Sequence, residues 1–235
     1  MIIVYNSGKY RMAGRGSTAG YLCYGDGNGI VADMAPEVIP MAADVPVVAG
    51  VCGTDPFRIM RVYLEQLVKL GYCGVQNFPT VGLIDGLFRQ SLEETGMGYD
   101  KEVEMIREAA GFGLLTTPYV FTEEEARLMV DAGADIIVAH MGVTVKGTIG
   151  AQTSMSLDDA VARCDAIAGA AKAVNPEVLV LCHGGPIAEQ DEAAYVFQHS
   201  RDIVGFYGAS STERIPTERA MTAKMREFKA LNLTR

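Results

Sequence analysis

The chain has 235 residues, 49% of them hydrophobic, with 26 glycines and no tryptophan. One domain with an aliphatic, Ala/Gly-packed core is the expectation, over residues 1–235. A formal net charge of −9 argues against a nucleic-acid partner, because binding a phosphate backbone needs clustered Lys and Arg. The five cysteines lack C-x-x-C spacing, which points to reduced thiols rather than a disulfide frame or a zinc ribbon. With no apolar run of the roughly 20 residues that span a bilayer, and no basic, cleavable leader, the expected setting is the cytoplasm, away from membranes.

Seven short apolar runs, rich in β-branched residues, order the chain. The first, Ile2 to Tyr5, ends in Asn6-Ser7 and opens a long Gly-rich loop, Gly8 to Asn28, carrying Lys9, Tyr10, Arg11 and Arg15. The second, Val45 to Cys52, ends in Cys52-Gly53-Thr54-Asp55. A helix is predicted over Pro56 to Leu70, with Asp55 as cap, Pro56 at its first position and Gly71 closing it. The third run, Cys73 to Phe78, contains Gln76-Asn77, and a helix ending at Glu93-Glu94 follows. The fourth, Leu114 to Phe121, holds Thr117 and Tyr119, and Thr122 with Glu125 reads as a capping box. The fifth, Ile136 to His140, leads into the loop Gly142 to Ser156 with Lys146, and then a helix over Ser156 to Val174. The sixth, Val178 to His183, ends in His183-Gly184-Gly185. The seventh, Ile203 to Tyr207, ends in Gly208-Ala209-Ser210-Ser211, and a final helix runs from Glu213 or Pro216 to Leu231.

Runs without strict alternation are buried on both faces, as in a parallel sheet covered by helices. Strand–helix alternation means a barrel or a doubly wound sheet. No G-x-G-x-x-G follows the first strand, which disfavours a dinucleotide fold. The expected fold is therefore α/β, a TIM-type (β/α) barrel with seven recognisable units, one short of eight and with the first unit absent at the N-terminus. The first and last strands would flank a gap. Exposed edges invite pairing, so a homo-oligomer, or a rearranged loop over the seam, is expected.

In such a barrel, strand ends converge on one mouth. His140 and His183 end neighbouring strands and read as general acid and base, as metal ligands, or as strand-end hydrogen bonders. Arg11 and Arg15 are candidates to steady developing charge. Asp55 is a helix cap or a catalytic carboxylate, and Glu94 a solvated helix end or a carboxylate reaching the mouth. Gly184, Gly185, Gly208, Ser210 and Ser211 offer bare N–H and hydroxyl groups to an anion. Asn6, Ser7, Asn77 and Tyr119 complete the candidate binding set. Cys52 reads as a buried thiol, His199 as a surface residue, and the two loops as lids over an anionic ligand or as carriers of exposed, solubilising charge.

Several stretches carry a resemblance: Tyr5 to Gly8, Arg11 to Gly16, GVCGTDPF over Gly50 to Phe57, and QNFPTVGLID over Gln76 to Asp85. So do EETGMG over Glu93 to Gly98, TPYVF over Thr117 to Phe121, and AHMG over Ala139 to Gly142. Together they resemble the phosphoenolpyruvate hydrolase-like family of TIM-barrel proteins, over essentially the whole chain. Members usually carry an upstream Gly-rich first strand and helix, which this sequence does not show. The resemblance implies a hydrolase or lyase acting on a small anionic 2-oxo acid or enol ester, with or without a phosphate, and a divalent metal such as Mg by analogy. A similar domain in a tomato protein that inhibits tobamovirus RNA replication implies a rival reading, a non-catalytic barrel that binds a metabolite or a protein.

Overall fold

A computed structural model describes residues 1–232. In chain order its elements are β1 (Ile2–Val4), α1 (Asn6–Met12), α2 (Gly27–Val38), β2 (Val47–Gly50), α3 (Met60–Leu70), β3 (Gly74–Gln76), α4 (Gly86–Glu94), α5 (Tyr99–Gly111) and β4 (Leu115–Thr116). They continue as β5 (Tyr119–Val120), α6 (Glu123–Asp131), β6 (Ile136–His140), α7 (Leu157–Val174), β7 (Leu179–His183), α8 (Gln190–His199), β8 (Ile203–Phe206) and α9 (Arg214–Lys229). Every ladder is parallel and joins consecutive strands, β1-β2-β3-β4 and β5-β6-β7-β8. This is the strand order of an α/β barrel of the TIM type.

The eight strand segments occupy seven positions. β4 and β5 are one extended run broken at Thr117-Pro118, where proline has no N–H for a ladder. The run still bridges both neighbours: the Thr117 N–H donates to the Val75 carbonyl at 3.0 Å, and the Val138 N–H to the Pro118 carbonyl at 2.9 Å. Gly50 lies opposite Gln76, and a Cβ there would sit 2.3 Å from Tyr5 Cβ. Only glycine leaves room for the Tyr5 side chain at the end of the neighbouring strand.

Among the described residues, β1 and β8 share no ladder. Their edges expose Ile2 (37%) and Val204 (60%). The seam is bridged at the mouth instead, where the Arg11 guanidinium pairs with Glu213 at the start of α9 and Ser17 Oγ lies 3.5 Å from Ser210 Oγ.

Several helix ends follow the sequence. Gly71 closes α3 in the left-handed region at φ 100°, where L side chains rarely sit. Thr122 Oγ1 accepts from the Glu125 N–H and Ser156 Oγ from the Asp159 N–H, both at 3.1 Å. The expected start of α3 is wrong. The helix begins at Met60 with Ile59 as cap. Asp55 accepts the Phe57 N–H at 2.9 Å in a local turn, while its other oxygen accepts from Asn28 Nδ2 at 2.9 Å and pairs with Arg58 at 2.5 Å. The segment after β1 is not an open loop either, since α1, a 3-10 turn over Ser17–Tyr21 and the start of α2 occupy much of it.

Candidate functional site

Alternate residues of a strand face one side of the sheet, so the barrel-facing positions at the strand ends form one layer. Tyr119, His140, His183 and Tyr207 pack there as a ring cluster. The His183 ring stacks on Tyr119 with centroids 4.8 Å apart, His140 meets Tyr119 edge-on at 4.7 Å, and the two imidazoles lie 4.6 Å apart. All four are nearly inaccessible. Thr117 Oγ1 and Tyr207 Oη meet at 3.0 Å.

Hydrogen-bond partners fix both imidazole tautomers. His183 Nδ1 is 2.5 Å from the Tyr207 carbonyl. A carbonyl only accepts, so Nδ1 carries the proton and Nε2 keeps its lone pair, which faces the Tyr119 hydroxyl at 3.3 Å. At His140, Nδ1 accepts from the Gly142 N–H at 3.0 Å. Its proton is therefore on Nε2. One ring offers a base and its neighbour offers a hydrogen-bond donor. Burial holds both neutral: it pushes His183 down to about 4, with the Tyr207 carbonyl opposing and Arg11 assisting, and it pushes His140 well below the ordinary range, helped by His183 and Arg163.

The charge of the chamber comes from Arg11. Only 5% exposed, it reaches back from α1 to Ser7 Oγ at 2.8 Å and across to Ser17 Oγ at 3.2 Å. Its guanidinium carbon lies 5.1 Å from the centroid of the Tyr5 ring. Tyr5 and Arg11 line the same cavity as Tyr119, His140 and His183, with about 20 Å³ of free space, room for about one water. The wall nearest Phe78 is fixed from outside. Asn77 accepts the Tyr119 N–H at 2.6 Å and donates to its carbonyl at 3.2 Å, and it donates to buried Glu102 at 2.6 Å. Glu102 also accepts from the Val81 N–H at 2.7 Å. Burial pushes that carboxyl up to about 8 against those hydrogen bonds.

The family described as phosphoenolpyruvate hydrolase-like matches residues 1–231. The chain belongs to that family. It is 58% identical over 233 residues to the ToMV susceptible protein tm-1(GCR26) and to the ToMV resistance protein Tm-1(GCR237), both of Solanum lycopersicum. Each alignment covers 99% of this chain and 31% of the relative, so the chain spans about a third of those proteins. Among solved structures it resembles 2,3-dimethylmalate lyase, a PEP mutase/isocitrate lyase superfamily member, with a TM-score of 0.52 at 15% identity, over 99% of this chain and 85% of that one. That likeness supports the fold.

The structure brings Arg11, Ser7, Tyr119, His140, His183 and Ser210 to one mouth, with Asn77 behind them. Asn6 is buried beside them but turns to the Gly20 carbonyl at 3.0 Å. Other expected members of the site lie apart. Glu94 is exposed at the end of α4 and accepts from Gln90, because that side of the helix faces solvent. Arg15 is exposed past the end of α1. Asp55 ties the 52–58 turn to Asn28 and Arg58, outside the chamber. The Gly185 N–H is already used by the Gly142 carbonyl at 2.7 Å, so it is not a bare anion donor. A Cβ on Gly184 (φ 76°) would meet the Gly142 carbonyl at 2.3 Å, so glycine there serves loop packing. Gly208 and Ser211 are half-buried at the rim. Lys146 is paired to Glu189 and Glu192 rather than held over the mouth, and His199 stacks on Tyr195 at the surface.

Some members of the site gave no recognisable signal. Glu213 carries the partner of Arg11 from the far end of the chain. Glu102 lies on a helix that reads as an ordinary amphipathic one. Tyr5 and Tyr207 could have been found from their place at strand ends. Gln76, fully buried, has neither amide atom hydrogen-bonded among the described residues. Magnesium prefers several oxygen ligands in octahedral array, and no group of three or more His, Cys, Asp or Glu is placed to hold a metal among the described residues. No helix is long and apolar enough to cross a membrane among the described residues.

Proposed function

We propose that the mouth performs general acid–base chemistry on a small anionic 2-oxo acid or enol ester, as a hydrolase or lyase. The observation that carries this reading is the pair of adjacent neutral imidazoles with opposite tautomers beside a buried arginine. His183 Nε2, directly or through the Tyr119 hydroxyl, takes a proton from the attacking or departing oxygen. His140 Nε2–H donates a hydrogen bond to the oxygen that becomes electron-rich, and His183, once protonated, returns its proton to the product. Arg11, with Ser7 and Ser17, holds the carboxylate and stabilises the enolate that forms as a bond to the oxo-acid skeleton breaks. Burial supports both roles, since a base that stays neutral at pH 7 need not first lose a proton and a neutral imidazole keeps one N–H as a hydrogen-bond donor.

A second reading is favoured by the relatives, whose names refer to a virus rather than a reaction: a barrel that binds a metabolite or a protein at the same mouth. A screen of phospho- and oxo-acids, with and without divalent metal, separates the two. If the first reading holds, His183→Ala and His140→Ala each lose about 10²-fold or more in turnover while still binding ligand. Wild-type rates in both variants would leave the histidines as strand-end hydrogen bonders. Ligand binding with no turnover by the unmodified protein would favour the second.

A further inference from the structure

The polar chamber lies against a much larger groove of about 770 Å³, between the 18–27 segment and the 79–92 segment. Thr18, Tyr21, Leu83 and Val143 line both spaces, so the two are adjacent across one shared wall. Beyond that shared wall the groove runs past Leu22, Ile84 and Phe88, and no charged side chain lines it among the described residues. Leu22 and Phe88 stand 56% and 64% exposed there. An isolated exposed leucine needs no explanation, but a contiguous apolar trough leading to a buried cation marks a ligand site.

We infer that the ligand is an amphiphilic acid, a 2-oxo or enol carboxylate bearing an uncharged alkyl or aryl tail of several carbons. The head lies on Arg11 and the tail lies in the groove. The inference deepens the proposed function and rests on it for the placement of the head. Two contrasts support it. A compact, doubly charged ligand such as an enol phosphate would need a second cluster of cations, and the groove supplies none. A three-carbon acid held on Arg11 would leave the groove empty, whereas a tail of several carbons fills it once the head displaces Glu213. Charge complementarity and the shared wall with the chamber therefore select an apolar tail over a phosphate.

The test is calorimetric titration of the whole chain with pyruvate, 2-oxobutanoate, 4-methyl-2-oxopentanoate and phenylpyruvate, and with 3-phenylpropanol as a tail without a head. Affinity should climb about fourfold for each methylene buried, reaching tenfold or more between the first and last acids. Phe88→Asp, an exposed position on α4, should bring the phenylpyruvate-to-pyruvate affinity ratio close to one. A flat series, or 3-phenylpropanol binding as tightly as phenylpyruvate, would overturn the inference. So would light scattering that shows a dimer in the wild type and a monomer in Phe88→Asp, since the groove would then be a subunit contact. If short acids bind and lose affinity in Arg11→Met while the series is flat, the tail site alone fails. If no acid binds at all, the head site fails with it.

Discussion

The ion pair between Arg11 and Glu213 sets up an internal competitor for any anionic ligand, and Glu213→Gln exposes it. The Arg11 side chain is 3% exposed and that of Glu213 is 31% exposed. Breaking a fully buried pair costs about 3–5 kcal/mol. Here solvent screens the carboxylate, and Arg11 keeps its bonds to Ser7 and Ser17, so about 1–2 kcal/mol is expected. For a domain of this size that lowers the melting temperature by about 2–8 °C. The same change leaves the guanidinium without its carboxylate, and a charge-assisted bond to an added acid replaces it. Acetate or pyruvate should therefore bind the variant about tenfold more tightly than the wild type. At 100 times its dissociation constant a ligand adds about 2.7 kcal/mol of stability, more than the substitution removes. Thermal unfolding of both proteins against acetate concentration, at constant ionic strength set with a chloride salt, reads this directly. Equal rises in the two proteins would refute the idea that Glu213 occupies the anion position.

Glu102 gives stability a slope on the alkaline side. Its folded value, about 8, lies above its unfolded one, so its contribution is full below about pH 4.5 and is lost as pH rises through 8, at up to about 1.4 kcal/mol per unit. Denaturant unfolding between pH 5 and 9 should show that fall, and Glu102→Gln should flatten it; an unchanged slope would mean that the carboxyl is ionised throughout. His183 acts in the opposite sense. Its folded value of about 4 lies below the ordinary 6.5, so its contribution is present above pH 6.5 and is lost as pH falls through 4. His183→Asn should remove that acid limb, again read by unfolding. At the seam, the unpaired edges of β1 and β8 lead us to propose self-association. Light scattering at low micromolar concentration should give a mass above 25.2 kDa, and a stable monomer that binds no hydrophobic dye would refute it.

The strands were legible because both of their faces are buried. Val47 to Gly50 and Ile136 to His140 are apolar without alternation, which a one-faced sheet would not allow. The break at Pro118 was invisible as a break but harmless, since the run still joins β3 to β6. Helix caps were legible where the side chain had no better partner, as at Thr122 and Ser156. At Asp55 the side chain does accept the Phe57 N–H, but only a turn follows, and its other oxygen is held by Asn28 and Arg58. His140 and His183 could be placed because they end neighbouring strands, but their tautomers could not, since these depend on the Gly142 N–H and the Tyr207 carbonyl. Arg11 and Arg15 look alike in sequence. One lies on the buried side of α1 and the other beyond its end, a distinction set by a helix that the Gly-rich composition concealed.

The link between Arg11 and Glu213 shows why the seam and the site belong to one argument. It joins the element after the first strand to the one after the last, across the position where the barrel has no ladder. The contact that closes the mouth is thus the contact an anionic ligand must break. A carboxylate that displaced Glu213 without replacing its bridge would loosen the rim. A carboxylate held by Arg11 and Ser17 on one side, and by Ser210 on the other, would restore it, because Ser17 and Ser210 already face each other at 3.5 Å. Binding and closure of the rim are then one equilibrium. A ligand affects it only through its different affinity for the closed and open states.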